Sequence, residues 1–342
     1  MKDDGLNYIN TFLLGLGFFC ISITWSLYNS FVPIFLNKYI SSAFTIGVIM
    51  TFDNIAAITL QPFFGALSDR TNTKFGRRMP YLLIGIPVSA AFFFLIPFEF
   101  NLVSLIVIVM CFNISMSVYR APTIALMPDL TPSPLRSKAN GIINFMGGFG
   151  ALLAYFAGSR IYDYDKSMPF TATSIIMLAA VFVLYKTIKE PSAPAPEEDE
   201  RSGILAAFKE IIADPDKSAV FILFAIFFWF IGYQGVEALF TLYGVKYLGI
   251  KESAAALTLG FFSFSFLIFA IPSGIIATRI GRKRTIKIGL GGLMVIFAAI
   301  LFSKNITAIR IFMLIRGAFW AFVNINSYPM VVEMTTEKKI GA

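Results

Sequence analysis

The sequence has no histidine, only two cysteines, and 14% charged residues across 342 positions. A soluble domain carries about a quarter charged residues, so a water-exposed globule is excluded. Without histidine or a C-x-x-C pair the common zinc ligand sets cannot be assembled, and no P-loop is present to cradle phosphates. A membrane-embedded enzyme would therefore lack the usual nucleophilic, metal and phosphate-handling parts. Cys20 and Cys111 both fall inside apolar runs and read as small packing residues, with no disulfide framework implied. What fills the chain instead is 57% hydrophobic residues, 38 of them phenylalanine, at a mean hydropathy of +0.75. Such a composition describes an all-α polytopic membrane protein, since a lipid-facing barrel strand alternates polar with apolar and these runs do not.

Apolar runs of membrane length lie near residues 10–36, 44–68, 80–98, 102–128, 140–159, 169–188, 218–243, 254–277, 286–303 and 309–334. The first is too long for a signal peptide and lacks its cleavage site, so it is expected to remain as span one. Lysine and arginine crowd the connections after even-numbered spans, including Arg70, Lys74, Arg77, Arg78, Arg279, Arg282, Lys283 and Arg284. By the positive-inside rule those loops and the N-terminus are cytoplasmic, and the protein sits in a cell membrane. The formal charge of +8 is thus first a topology signal, with anionic lipid headgroups as the natural contact. Basic residues scattered over several short loops give no nucleic-acid surface.

One connection is long. Residues 189–217 run through Pro191, Pro194 and Pro196 into the acidic stretch Glu197–Glu200, and read as a mobile linker with a short surface helix near 203–212. It separates a six-helix half, 1–188, from a four-helix remainder, 218–342.

An internal repeat accounts for that asymmetry. Gly65-x4-Arg70 followed by Gly76-Arg77-Arg78 is matched by Gly274-x4-Arg279 followed by Gly281-Arg282-Lys283. Trp25 pairs with Trp229 and Asp129-Leu-Thr with Glu333-Met-Thr, each 204 positions apart. Several matches near one offset indicate two homologous halves. About two spans of chain follow Asp129 before the linker, but only nine residues follow Glu333. The expectation is six plus four helices of a six-plus-six arrangement, cut before an eleventh span.

The loop Gly65-x-Leu67-x-Asp69-Arg70, continued by Gly76-Arg77-Arg78, resembles the signature of the major facilitator superfamily with four residues inserted. Gln61-Pro62-x-x-Gly65-x-x-Ser68-Asp69 with Phe75-Gly76-Arg77-Arg78-x-Pro80 is similar to its sucrose-transporter-like and glycoside–pentoside–hexuronide:cation symporter branches. The second copy departs from the pattern, with Thr278 where the acid would stand. The resemblance implies a cytoplasmic gate made by Gly65, Asp69, Arg70, Gly76, Arg77 and Arg78 with Arg279, Gly281 and Arg282. Asp69 is expected to pair with Arg70, Arg77 or a helix N-terminus of the other half. The resemblance also implies a substrate cavity lined by helices one, four, seven and ten.

Polar stripes fall on those four helices. Helix one carries Ser22, Trp25, Tyr28 and Asn29 at helical spacing; helix four carries Asn113, Ser117 and Arg120. Helix seven carries Trp229, Tyr233, Gln234 and Glu237, and helix ten Arg316, Trp320 and Asn324. All three tryptophans lie on this set, well inside the spans, whereas an interfacial belt sits at span ends. Aromatic faces beside amides suit a sugar, although the same stripes could serve as helix–helix contacts. Ionisable groups at membrane depth are functional candidates: Asp53, Arg120, Glu237 and Arg316, with Glu333 near a helix end. By helical rise Asp53, Glu237 and Arg316 share a layer roughly 9–14 Å below the outer ends. Arg120 falls in the inner half, towards Asp129. Glu237 is expected to pair with Arg316, and Asp53 to be a third member or a separate titrating group.

With no histidine, a proton carrier must be a carboxylate, Asp53 first and Glu237 second. The melibiose-type symporters place paired carboxylates where Ala57 and Gln61 stand here, which argues against that kind of sodium site. The expectation is a monomeric secondary transporter without cofactor, moving a small polar solute, most simply a sugar or glycoside, with a proton. An efflux antiporter of the same superfamily is the alternative; a receptor or membrane enzyme is the different-class rival.

Overall fold

The computed structural model describes residues 6–132, 135–190 and 217–340. The expected surface helix near 203–212 lies outside these. Among the described residues ten helices are long and apolar enough to cross a membrane. Spans one to six are Tyr8–Asn37, Ala43–Arg70, Met79–Phe98, Leu102–Leu130, Lys138–Tyr164 and Met168–Thr187. Spans seven to ten are Val220–Lys246, Glu252–Ile280, Arg282–Phe302 and Ile306–Val331. Each coincides with one of the ten apolar runs. Helix starts follow local chemistry: Asn7 accepts from Asn10 N, and Asn101 forms a reciprocal capping box with Ser104.

Two spans depart from simple rods. Span two consists of two helices, Ala43–Met50 and Phe52–Arg70, which meet at Thr51 and leave Asp53 in the first turn of the second piece. Span five contains a π-helical turn at Ala154–Gly158, after which Ser159–Tyr164 resumes α-helical winding. An extra residue in one turn rotates everything beyond it, and such turns are frequent at functional sites.

The chain divides into two compact units. One holds spans one to six and takes in Ala238–Leu257; the other holds the rest of the described chain, beginning in the first part of span seven and resuming at Thr258. The grouping by compactness therefore differs from the sequence division at 189–217. In the first unit, span one packs along span five through small residues. A Cβ on Gly150 would stand 2.7 Å from Phe19 O, and one on Gly15 2.7 Å from Met146. In the second unit, a Cβ on Gly292 would meet the Phe319 ring at 2.5 Å. Small residues let helices approach where no hydrophobic drive separates helix from lipid. The apolar residues that remain exposed, such as Phe221, Phe224, Phe227 and Phe228 on span seven, form surface that a bilayer or further helices would cover.

Gly317 gives a sharp packing prediction. An added Cβ would stand 2.4 Å from Phe262 O and 2.8 Å from Phe266 N, both backbone atoms that cannot rotate away. Gly317→Ala should lower stability by about 1–3 kcal/mol or more, as overpacking does. Gly141, with nothing within 4 Å of an added Cβ, is the control: its alanine variant should be neutral or stabilising by roughly 0.5–1 kcal/mol. Thermal unfolding of the two variants in detergent would compare them, and equal midpoints would contradict the assignment.

Candidate functional site

In the first unit the aromatic and amide residues of spans one and four come together. Trp25 stacks on Tyr28 at 5.6 Å, and Tyr28 stacks on Phe112 at 5.4 Å. Asn113 donates from Nδ2 to the Tyr28 hydroxyl at 3.1 Å. Its other amide atom, Oδ1, is buried without a partner among the described residues, so this amide offers an acceptor to a donor. The Arg120 guanidinium lies 5.3 Å from the Trp25 ring. Asn29 is buried one residue beyond Tyr28. Ser22, from the same stripe, instead points its hydroxyl at Gly147 on span five, and is a packing contact.

Asp53 joins this group. Its side chain is buried, accepts from Asn54 N, and interacts electrostatically with Arg120 and Tyr28. Depth counted along uniform helices placed Asp53 and Arg120 in different layers. In the structure the two nonetheless act on each other electrostatically.

The second unit builds a comparable group around Arg316. Tyr233 and Trp320 stack at 4.5 Å with ring planes 4° apart, and Phe230 meets Trp320 edge-on at 5.4 Å. Arg316 is 1% exposed and lies over Phe262 at 4.1 Å, Phe297 at 5.5 Å and Tyr233 at 5.7 Å. Glu237, also buried, and Arg316 both act electrostatically on Tyr233, so the three side chains share a neighbourhood. Trp229 has a buried indole N–H without a partner among the described residues. Gln234 and Asn324 are half-buried. The side chain of Glu333 lies outside the described residues.

The glycine–arginine loop after span two forms a dense ionic cluster. Arg78 reaches Asp129 from Nε at 2.9 Å, Asp69 from Nη2, and Ser68 Oγ and Gly65 O from Nη1. Burial pulls the Arg78 guanidinium down, but Asp129 and Asp69 outweigh this and hold it above its ordinary value. Arg77 lies 3.3 Å from Asp129 and 4.0 Å from Glu190. Glu190 accepts from the backbone N–H groups of Arg78 and Met79, capping span three. Asp69 therefore pairs with Arg78, which was none of the partners expected for it, namely Arg70, Arg77 or a helix N-terminus of the other half; Arg70 is exposed. The reason is geometric: Gly76 adopts φ 103°, turning the chain so that Arg78 points back under span two.

The second copy of the loop keeps the turn and loses the cluster's acid. Gly281 has φ 89°, 205 positions after Gly76, so the repeat is visible in the backbone itself. Thr278 hydrogen-bonds locally to Ile275 O, and Arg279 is exposed.

Two acids do more than their sequence positions suggest: Asp129, a marker of the repeat, and Glu190, at the edge of the linker, both hold the arginines. At the opposite ends of the spans, Tyr162 donates to Glu252 at 2.6 Å and Lys166 lies 3.0 Å from the same carboxylate. Only the acid-first start of span eight hinted at Glu252.

Comparison with known proteins agrees with this architecture. A family profile described as Major Facilitator Superfamily matches residues 14–342. The chain belongs to that superfamily. The isoprimeverose transporter of Lactiplantibacillus pentosus is 24% identical over 300 residues, 82% of this chain and 61% of that protein. The class H tetracycline resistance protein of Pasteurella multocida is 24% identical over 279 residues, 76% of this chain and 64% of that protein. The chain thus spans a little over three-fifths of the length of these relatives. A crystal structure of a D-xylose–proton symporter superposes with a TM-score of 0.69 at 18% identity, over 94% of this chain and 82% of that one. At that identity the likeness establishes the fold. Membership in this superfamily sets an enzymatic role aside, and the ten apolar helices make the superfamily member a multi-pass membrane protein.

Proposed function

We propose that the protein is a secondary transporter that moves a sugar or glycoside by alternating access, driven by a proton carried on Asp53. The observation that carries this reading is the Trp25–Tyr28–Phe112 ring stack with the Asn113 acceptor at its edge. A sugar ring offers an apolar CH face to an aromatic ring and hydroxyl donors to an amide oxygen. The Tyr233–Trp320 stack of the second unit is a further aromatic surface of the same kind. Asp53 supplies a buried carboxylate that feels the charge of Arg120, so its own charge can be offset or exposed as the surroundings change. The glycine–arginine loop sits at the cytoplasmic face in this reading and acts as the inner gate.

Reconstitution into proteoliposomes with a panel of labelled mono- and disaccharides tests it. The expected result is saturable sugar counterflow, with apparent affinity reduced about tenfold by Trp25→Ala, equivalent to ~1.4 kcal/mol of ring contact. Unchanged affinity in that variant would remove the ring stack from the site. The second reading, an efflux antiporter, is favoured by the similarity to the tetracycline resistance protein. Flux of a lipophilic cation with none of the sugars would select it.

A further inference from the structure

We infer that the solute is a sugar acid, a ring that bears a carboxylate, and that Arg120 is the residue that takes that carboxylate. The inference rests on the transporter reading above and narrows its substrate class. All the side chains concerned belong to the first compact unit. The other arginines of that unit are either supplied with oxygen acceptors or turned to the surface. Arg78 reaches Asp129, Asp69, Ser68 Oγ and Gly65 O, Arg77 lies 3.3 Å from Asp129, and Arg136 donates to Thr131 O and Pro128 O. Arg70 and Arg160 are exposed. Arg120 is half-buried inside span four, and among the described residues no carboxylate forms an ion pair with it and no oxygen accepts a hydrogen bond from it. What it has is the Trp25 ring at 5.3 Å and the electrostatic influence of Asp53 and Tyr119. A ring face attracts the charge but supplies no oxygen, so a fork of N–H donors is left at membrane depth for something that can accept from it.

The order of the neighbouring groups says what that acceptor is part of. Arg120 overlies Trp25, Trp25 stacks on Tyr28, and the Tyr28 hydroxyl accepts from Asn113, whose Oδ1 is the acceptor described above. Arg120 and Asn113 are two turns apart on one face of span four, about 10 Å along its axis. The site thus runs from a cation, across aromatic surface, to an amide acceptor. A pyranose carrying a carboxylate has the complementary order: charge at one edge, a CH face, and hydroxyl donors at the far edge. A guanidinium meets a carboxylate through two parallel hydrogen bonds, whereas a lone hydroxyl uses only one of its donors. One guanidinium also offsets one negative charge, which suits a carboxylate better than a phosphate ester carrying roughly −1.5 to −2. With no membrane potential imposed, one proton sustains the same accumulation ratio per pH unit for a monoanion as for an uncharged solute.

Isothermal titration of the full chain in detergent tests this by binding alone. The probes are glucuronate and galacturonate, the amide of each, which keeps the shape and loses the charge, glucose 6-phosphate, and benzoate. The unmodified protein should bind one of the acids about tenfold or more tighter than its amide, as a charge-assisted pair exceeds a neutral one, and tighter than the phosphate. Arg120→Gln should erase that preference, leaving acid and amide within about twofold of each other. Arg120→Lys keeps the charge without the fork and should retain only part of it. An amide bound as tightly as its acid by the unmodified protein would overturn the inference and leave the sugar reading standing. A phosphate preferred to both acids would overturn the carboxylate. Binding of benzoate with none of the saccharides would keep a carboxylate on Arg120 and overturn the sugar reading instead. Binding of neither the acids nor benzoate would overturn the inference outright.

Discussion

Asp53→Asn is expected to abolish uphill accumulation of solute while leaving counterflow exchange in place. Asparagine copies the shape of aspartate and can still accept from Asn54 N, so local structure has no reason to change. What it cannot do is gain and lose a proton. If one proton moves with each uncharged solute, one pH unit sustains about tenfold accumulation, ~1.4 kcal/mol, and the amide variant should fall to a ratio near one. Counterflow needs only solute binding and exchange across the membrane, so it separates a coupling defect from a folding defect. One side effect is expected. Arg120 loses its electrostatic partner, and a charge left without compensation at this depth costs stability. Arg120 is only half-buried and its guanidinium also rests on Trp25, which limits that cost. Full pH-driven accumulation by the asparagine variant would transfer the proton role to Glu237, the buried carboxylate near Tyr233, where Glu237→Gln becomes the corresponding test.

The spans were legible because each is a run of apolar residues set by bilayer thickness, and nothing in tertiary structure can move such a run far. The repeat was legible for a similar reason: Gly76 and Gly281 are needed for the same positive-φ turn, so the residue type records the backbone. The aromatic stripe of span one was half legible. Helical spacing groups Ser22 with Trp25 and Tyr28, but the neighbouring span decides that Ser22 faces Gly147 while the rings stack on one another. Three features could not be read from local pattern. The break at Thr51 has neither glycine nor proline to mark it. The π-turn at Ala154–Gly158 leaves hydropathy unaltered and shows only as a change of facing. The partners Arg78–Asp69, Arg78–Asp129 and Tyr162–Glu252 depend on which helix ends meet, and charge alone names several candidates for each.

Arg78 is expected to be the most sensitive position of the glycine–arginine loop. Its guanidinium is used in three directions at once: Nε to Asp129, Nη2 to Asp69, and Nη1 to Ser68 Oγ and Gly65 O. Arg78→Met removes the charge and leaves two carboxylates facing each other at a buried helix end. Removing one partner of a buried ionic group costs about 3–5 kcal/mol. Asp69 and Asp129 keep side-chain exposures of 32% and 22%, so water offsets part of this and the lower end of that range is expected. Arg78→Lys should recover little of the loss, because an ammonium is a point charge and cannot span three acceptors lying in different directions. Arg77 provides the contrast. Its nearest carboxylate oxygens lie at 3.3 Å and 4.0 Å, and its side chain is 12% exposed, so Arg77→Met should cost clearly less. Thermal unfolding in detergent would rank the variants Arg78→Met, Arg78→Lys and Arg77→Met in falling order of damage. A lysine variant as stable as the parent would mean that charge at this corner matters and geometry does not. Equal losses at Arg77 and Arg78 would place the weight on Asp129, which both arginines share.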